Sequence, residues 1–195
     1  MQVFYFNKSK DKIVSSDNID SLPKNRLVWI RLVDPKQDEL EKIAEFSDIP
    51  FEEFHVFLED EERSRVDFQG YLQIIYQAPI TEKGEVTTEA MSIFLAGNII
   101  VTVERESVIA ITNMTKLLKI NKMKSRFRNG PGPFVIRIID SINDDFLKSI
   151  EKIARIVKIS KSEDIDVQKK MLMGLYNSNV TLSHFNQAII ANLEA

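Results

Sequence analysis

The sequence has no cysteine among its 195 residues. This absence excludes disulfides, thiolate metal sites and cysteine nucleophiles, and it fits a reducing compartment. The two histidines, His55 and His184, are far apart in the chain. The sequence also lacks the G-x-G-x-x-G, P-loop, H-E-x-x-H and G-x-S-x-G motifs. We therefore predict that the chain is not an enzyme.

Long hydrophobic runs are absent as well. No apolar run approaches the ~18–20 residues that a helix needs to cross a bilayer. The N-terminus places apolar residues before basic ones and has no A-x-A-like cleavage site, so it does not resemble a signal peptide. The chain as given is predicted to be soluble.

The charge is unevenly distributed along the chain, although the net charge is only −3. Between Asp34 and Asp67 there are thirteen acidic residues and four basic ones. Between Ser107 and Ile139 there are seven basic residues and no acidic one. The two regions are expected to attract each other, within one molecule or between subunits, or to serve two different ligands.

The first two thirds of the chain combine strand and helix patterns. Apolar and β-branched runs predict strands at Val3–Phe6, Leu27–Val33 and Tyr71–Gln77, and a hairpin that turns at Gly97-Asn98. Helices are expected near Asp34, near Pro50, and from Ser107 to about Asn121. For the first of these helices, we expect Asp34 as the N-cap, Pro35 at the first helical position and Gln37 in a capping box.

The last third of the chain has a different pattern. The segment RNGPGP (Arg128 to Pro133) is the strongest helix breaker in the chain and predicts a boundary. Apolar residues then recur every three or four positions from Val135 to Val157, which predicts one long helix. After a break at Ser160 to Asp164, another helix is predicted to reach Ala195 without a capping residue, which suggests that the natural chain continues.

These patterns predict an α/β fold, an αβα sandwich with a mixed sheet, followed by long α-helices. The predicted domains are an α/β domain over residues 1–130 and long helices over residues 131–195. Long helices with a narrow apolar stripe are poorly buried alone, so they need each other, the domain or a partner subunit.

Three segments carry a resemblance to a known family. They are WIRLVDP (Trp29 to Pro35), EERSRVDFQGYLQIIYQAP (Glu61 to Pro79) and GPGPFVIRIIDSINDDFLKSIEKI (Gly130 to Ile153). Together, in this order and spacing, they resemble the cytoplasmic N-terminal part of CorA-type magnesium/cobalt transporters. Ser64 departs from the family pattern, which usually has proline there.

The resemblance implies a cytoplasmic αβα domain whose long helices lead to a membrane stalk in a homopentameric channel. The family's pore motif, Gly-Met-Asn, is absent from this sequence. The resemblance therefore implies a soluble part of a transporter, located at the cytoplasmic face of the membrane in the full-length protein. Its expected share of the function is to sense the ion and to gate a pore that this chain does not contain.

The metal expected from the resemblance is Mg²⁺, with Co²⁺ or Ni²⁺ as alternatives, in a regulatory rather than a catalytic role. Asp140 aligns with the family's long-helix aspartate, and Asp144 and Asp145 align with the pair that follows. Asp140 and Asp144 are four residues apart, so their carboxylates share one helix face, which suits a hydrated cation. The alternative is an exposed face with local ion pairs, because Arg137 is three residues before Asp140 and Lys148 is four residues after Asp144.

A second pair of metal ligands remains ambiguous. The family carries a Leu-Glu-Asp in this region, and the sequence has Glu59 and Asp60 after a leucine. However, an ungapped alignment anchored on Arg63 places the family's pair on His55 and Val56 instead. Two alternatives therefore remain. Either Glu59 and Asp60 are metal ligands, or the family's ligand pair is lost at His55 and Val56.

The basic segment from Lys116 to Arg128 offers a possible phosphate or nucleic-acid site, with Phe127 available for stacking. Because only one aromatic residue interrupts the run and the overall pI is acidic, no nucleic-acid partner is predicted. The expected partners are divalent cations and other copies of the chain. The alternative function is a diverged interaction domain that has kept this fold without ion sensing.

Overall fold

The computed structural model describes residues 1–19, 22, 25–54, 63–82, 85–159 and 165–195. Its strands are β1 (Gln2–Asn7), β2 (Lys12–Ser16), β3 (Val28–Val33), β4 (Arg65–Phe68), β5 (Leu72–Glu82), β6 (Glu85–Ala96) and β7 (Ile99–Glu104). Its helices are α1 (Gln37–Ser47), α2 (Ile109–Lys119), α3 (Lys124–Arg128), α4 (Pro131–Ile159) and α5 (Ile165–Glu194). Residues 51–54 are also helical.

The strands form one seven-stranded sheet in the order β2-β1-β3-β7-β6-β5-β4. Strands β3 and β7 at its centre are parallel, and the other neighbouring pairs are antiparallel. The sheet is therefore mixed, as the sequence predicts.

Each side of the sheet is covered by its own hydrophobic core. On one side, Leu40 and Ile43 of α1 and Phe54 pack against the sheet. On the other side, residues of α2, α3, α4 and α5 join a larger core that includes Trp29 and Phe134. Helices on both faces of a mixed sheet confirm the αβα sandwich, and α4 and α5 confirm the predicted long helices.

The start of α1 differs from the prediction. Asp34 donates its backbone N–H to the carbonyl of Glu104 at 2.9 Å and adopts a left-handed φ of 44°. An N-cap residue needs an extended backbone, so Asp34 is excluded from that role. Lys36 is the N-cap, and Glu39 accepts its backbone N–H at 3.2 Å, where the sequence predicted Gln37 as the capping-box residue.

The start of α4 lies inside the predicted helix breaker. Pro131 is the first helical residue, a position where the missing N–H of proline costs nothing. Three residues later, the buried ring of Phe134 lies 5.3 Å from the Trp29 ring and 5.0 Å from the Phe127 ring. The core thus crosses the expected boundary at residue 130, and the division into two domains stays a prediction.

A buried ion pair lies at the carboxyl ends of the two parallel strands. Helices α1 and α2 leave this point toward opposite sides of the sheet, and open α/β sheets commonly bind ligands at such a point. Here Arg31 forms two hydrogen bonds of 2.7 Å to the Glu104 carboxylate. Burial raises the pKa of Glu104, while Arg31 and the backbone N–H of Val108 oppose that rise. The chain's own side chains therefore occupy this position.

Candidate metal-binding face of the long helix

The first half of α4 has one face whose side chains are exposed to solvent. Ile136, Asp140, Asn143 and Leu147 follow one another at intervals of four, three and four residues, so they share this face. Ile136 and Leu147 are each 61% exposed, although both side chains are large and apolar. An aspartate and an asparagine thus lie between two apolar residues on an open helical surface, which we call the outer face of α4.

Asp140 is exposed on this outer face. Within the part of the chain that the structure describes, Asp140 has no hydrogen-bond or ion-pair partner. Asp144 is also exposed, but one of its oxygens lies 3.7 Å from Nη1 of Arg137. Arg137 therefore competes with a cation for Asp144, whereas the described residues leave Asp140 available.

Asp145 has a different environment from its neighbour Asp144. It is only 5% exposed, and its Oδ1 accepts a 2.8 Å hydrogen bond from Lys148. Arg137 and Lys148 thus form local ion pairs, but their partners differ from those expected from the spacing. Arg137 pairs with Asp144 instead of Asp140, and Lys148 pairs with Asp145 instead of Asp144. Because Asp145 points inward, the exposed carboxylates of this helix segment are Asp140 and Asp144.

Glu59 and Asp60 lie outside the described residues, as do His55 and Val56. Among the described residues, no group of three or more His, Cys, Asp or Glu side chains is arranged to hold a metal ion. Mg²⁺ sites often use one or two carboxylates with water molecules completing the shell, and Asp140 with Asp144 fits that minimal set.

The outer face of α4 is connected to the sheet through Tyr76 of β5. The Tyr76 hydroxyl donates a 2.9 Å hydrogen bond to Oδ1 of Asn143. Burial raises the pKa of Tyr76, and the bond to Asn143 works against this rise. The hydroxyl therefore remains a neutral donor at physiological pH and orients Asn143 beside Asp140.

Asn192 near the end of α5 binds the same strand. Its side-chain amide accepts the backbone N–H of Gln77 at 2.8 Å and donates to the Gln77 carbonyl at 2.9 Å. Gln77 lies outside the part of β5 that pairs with β4, because that pairing begins at Arg65. Asn192 thus fixes the end of α5 to the part of β5 that β4 does not cover.

Sequence reasoning assigned no role to His184, which lies in a groove between α5 and strands β5 and β6. The groove has a volume of about 870 Å³, and Arg63 and Arg105 also line it. Nδ1 of His184 lies 3.1 Å from the Thr87 hydroxyl, and Arg105 donates to Glu89 at 3.3 Å. The sequence could not indicate that His184 lines a groove, because the groove is formed by residues from distant segments.

The chain's relationships agree with this architecture. A family model described as CorA-like Mg²⁺ transporter protein matches residues 24–195. The chain belongs to this family. CorA-like proteins form a family of transporters rather than of catalysts.

One curated relative is the cobalt/magnesium transport protein CorA of Methanocaldococcus jannaschii. It is 28% identical over 196 residues, which cover 94% of this chain and 59% of the relative. The chain therefore spans less than two thirds of that protein. Among the helices of the described residues, none is long and apolar enough to cross a membrane.

Solved structures of CorA match the whole fold. The complete structure of the CorA magnesium transporter from M. jannaschii superposes with a TM-score of 0.77 at 26% identity, covering 98% of this chain and 59% of that one. The structure of that protein's soluble domain gives a TM-score of 0.76 at 26% identity, covering 98% of this chain and 76% of that one. The full-length CmaX protein, at 12% identity and a TM-score of 0.67, shares the fold.

Proposed function

We propose that this chain is the cytoplasmic regulatory part of a CorA-type divalent-cation transporter, which senses Mg²⁺ and gates a membrane pore. Membership of the CorA-like family supports the transporter assignment. The observation that carries the sensing role is Asp140, an exposed carboxylate to which the described residues offer no partner. Mg²⁺ is the main candidate, and Co²⁺ is the second because the M. jannaschii relative is a cobalt/magnesium transport protein.

The sensing role follows from linkage between ion binding and conformation. A cation held between subunits stabilises the arrangement that brings its ligands together. It shifts the equilibrium only by the difference between its affinities for the closed and open states. When the cytosolic ion concentration falls, the closed state loses this stabilisation and the pore opens.

The outer face of α4 suits a contact between subunits. Asp140 and Asp144 supply only two carboxylates, so a neighbouring subunit is the natural source of further ligands. The exposed Ile136 and Leu147 beside them offer apolar surface for that neighbour. We propose a homopentamer, in keeping with the resemblance, located at the cytoplasmic face of the membrane.

The test is a thermal unfolding series with and without Mg²⁺. An ion that binds only the folded state stabilises that state by about 2.7 kcal/mol when its free concentration is 100 times its Kd. For a domain of this size, each kcal/mol raises Tm by about 2–4 °C. We expect Mg²⁺ to raise the Tm of the wild-type chain and to raise that of Asp140→Asn much less.

Asp38→Asn on α1 is the matched control, because Asp38 is also an exposed helical aspartate. It should keep the full Mg²⁺ response. Equal shifts in the wild type and Asp140→Asn would exclude Asp140 as a ligand. In the full-length transporter, Asp140→Asn should weaken the inhibition of ion uptake by cytosolic Mg²⁺.

A second candidate function is a CorA-fold interaction domain without ion sensing. The ion pair between Arg137 and Asp144 favours it, because this pair neutralises one of the two exposed carboxylates. Under this alternative, Mg²⁺ leaves the Tm of the wild-type chain unchanged. The Arg137→Gln variant separates the two candidates, since freeing Asp144 strengthens Mg²⁺ binding only if the outer face of α4 is a metal site.

A further inference from the structure

We propose that a basic face of one copy of this chain binds an acidic face of the next copy, and that this contact builds the assembly. The inference rests on the proposed homo-oligomer and deepens it, because it names the two surfaces that meet. It concerns residues other than Asp140 and Asp144.

The basic face combines two segments that are about 100 residues apart in the sequence. One is the turn between β1 and β2 together with the first residue of β2, and the other runs from the second half of α2 through α3. The face contains Lys8, Lys10, Lys12, Lys116, Lys119, Lys122, Lys124, Arg126 and Arg128. All of these side chains are exposed except the half-buried Lys124. Within these two segments, Asp11 is the only acidic residue.

Specific contacts hold the two segments together. The side-chain oxygen of Asn121 accepts the backbone N–H of Ile13 at 2.7 Å. Asp11 forms ion pairs with Lys124 and Arg128, the latter at 3.8 Å. The Arg128 guanidinium also lies 5.0 Å from the ring centre of Phe6. The basic face is therefore a defined surface rather than a set of independent lysines.

The acidic face consists of α1 and the residues next to it. Between residues 34 and 54, the sequence has eight acidic side chains, Asp34, Asp38, Glu39, Glu41, Glu45, Asp48, Glu52 and Glu53, and two basic ones, Lys36 and Lys42. Six of the acidic residues are exposed, and Glu39 and Glu53 are partly buried. The two faces thus carry opposite net charges of comparable size.

The fold keeps these two faces apart within one molecule. Helix α1 packs on one side of the sheet through Leu40 and Ile43, whereas α2 and α3 pack on the other side through Leu118 and Phe127. Contact between the faces must therefore occur between copies. Such a contact joins two different surfaces, and this heterologous type of interface closes into rings when the rotation between subunits permits. A cyclic homo-oligomer of more than two subunits uses an interface of this type.

Nucleic acid fits the basic face less well. The aromatic rings within it belong to Phe6, which is 8% exposed, and Phe127, which is 1% exposed. Neither can serve as a platform on which bases stack. A second copy of the chain, in contrast, necessarily presents the complementary acidic face.

The test reverses charges on one face at a time. Lys122→Glu with Arg126→Glu lowers the net charge of the basic face from +8 to +4, and Glu41→Lys with Glu45→Lys lowers that of the acidic face from −6 to −2. Sedimentation at low ionic strength, without divalent ions, should show association of the wild-type chain that weakens as salt rises. Each reversed variant alone should associate about tenfold or more weakly, because the attraction between the two faces is reduced and the reversed side chains meet like charges.

Mixing the two reversed variants should restore association, and so should combining all four substitutions in one chain. Lys152→Glu with Arg155→Glu is the matched control, because both residues are exposed on α4 outside the basic face and the charge change is the same. This control should associate like the wild type.

Failure of the wild-type chain to associate, or failure of the mixture to recover, would overturn the proposal. So would a wild-type chain that binds vesicles of anionic phospholipid through the basic face and stays monomeric in their absence. Because all samples lack divalent ions, these results are independent of the Mg²⁺ response of Asp140. The sensing proposal can fail while this contact holds, and the reverse is also true.

Discussion

Charged side chains have opposite environments at the ends of the central strands and on the outer face of α4. At the strand ends, Glu104 is fully buried and is bound by the Arg31 guanidinium and the Val108 N–H. On the outer face of α4, Asp140 is exposed and has no partner among the described residues. A buried charge needs internal partners to exist at all, whereas an exposed one is solvated by water and remains available to a ligand. The first arrangement is structural, and the second suits binding.

The strongest test of this comparison removes Arg31. Arg31→Met leaves the Glu104 carboxylate buried with one backbone donor, and we expect a loss of about 3–5 kcal/mol in the free energy of unfolding. Burial raises the pKa of Glu104, and removal of Arg31 takes away the main group that opposes this rise, so protonation of Glu104 relieves the unpaired buried charge in the variant. The variant should therefore be least stable at neutral and higher pH, and should recover stability as the pH falls.

Urea unfolding at several pH values measures this effect. Arg31→Met combined with Glu104→Gln is the control, and it should be more stable at pH 7 than Arg31→Met alone. If Arg31→Met is as stable as the wild type, the ion pair does not stabilise the centre of the sheet.

A smaller effect is expected at the contact between α5 and β5. Asn192→Ala removes two hydrogen bonds to the backbone of Gln77 and one to the Ser64 hydroxyl. Loss of these partners should cost about 1–3 kcal/mol and should increase hydrogen exchange in the last turns of α5. The matched control is Asn186→Ala, an exposed asparagine on the same helix, which should be close to neutral. Equal effects of the two substitutions would contradict a specific role for Asn192.

The smallest effect is expected on the outer face of α4. In the absence of divalent ions, Asp140→Asn should change the free energy of unfolding by less than about 0.5 kcal/mol, as is usual for exposed positions away from structural contacts. Urea unfolding in the presence of a chelator provides the measurement. A loss above 1 kcal/mol, on the order of a hydrogen bond, would assign Asp140 a structural partner and remove the contrast with Glu104.

The strands that sequence reasoning found are those with strong apolar patterns, such as β3 and the hairpin of β6 and β7. It missed β2 and β4, which are the two edge strands of the sheet. In β4, half-buried and exposed residues alternate, so the segment lacks a fully buried face. Such short edge strands are specified by pairing with a neighbour, and a single sequence does not display that pairing.

For the candidate site, the four-residue spacing and the family resemblance were enough to single out Asp140 and Asp144. Neither could predict that Asp145 turns inward to Lys148 or that Arg137 pairs with Asp144. These pairings depend on how α4 is rotated against the sheet, which is set by packing of Phe134 and Phe146 in the core. The Glu59–Asp60 prediction stays open.

The sequence by itself determined the fold class, the family and the separation of acidic and basic segments, because periodicity, motifs and charge are local properties of the chain. Only the tertiary structure decided which charges are neutralised and which are exposed. It also decided that the acidic α1 and the basic region around α3 lie on opposite sides of one sheet. The physical reason is that burial and pairing depend on contacts between residues distant in sequence, as between Arg31 and Glu104 or Asp11 and Lys124.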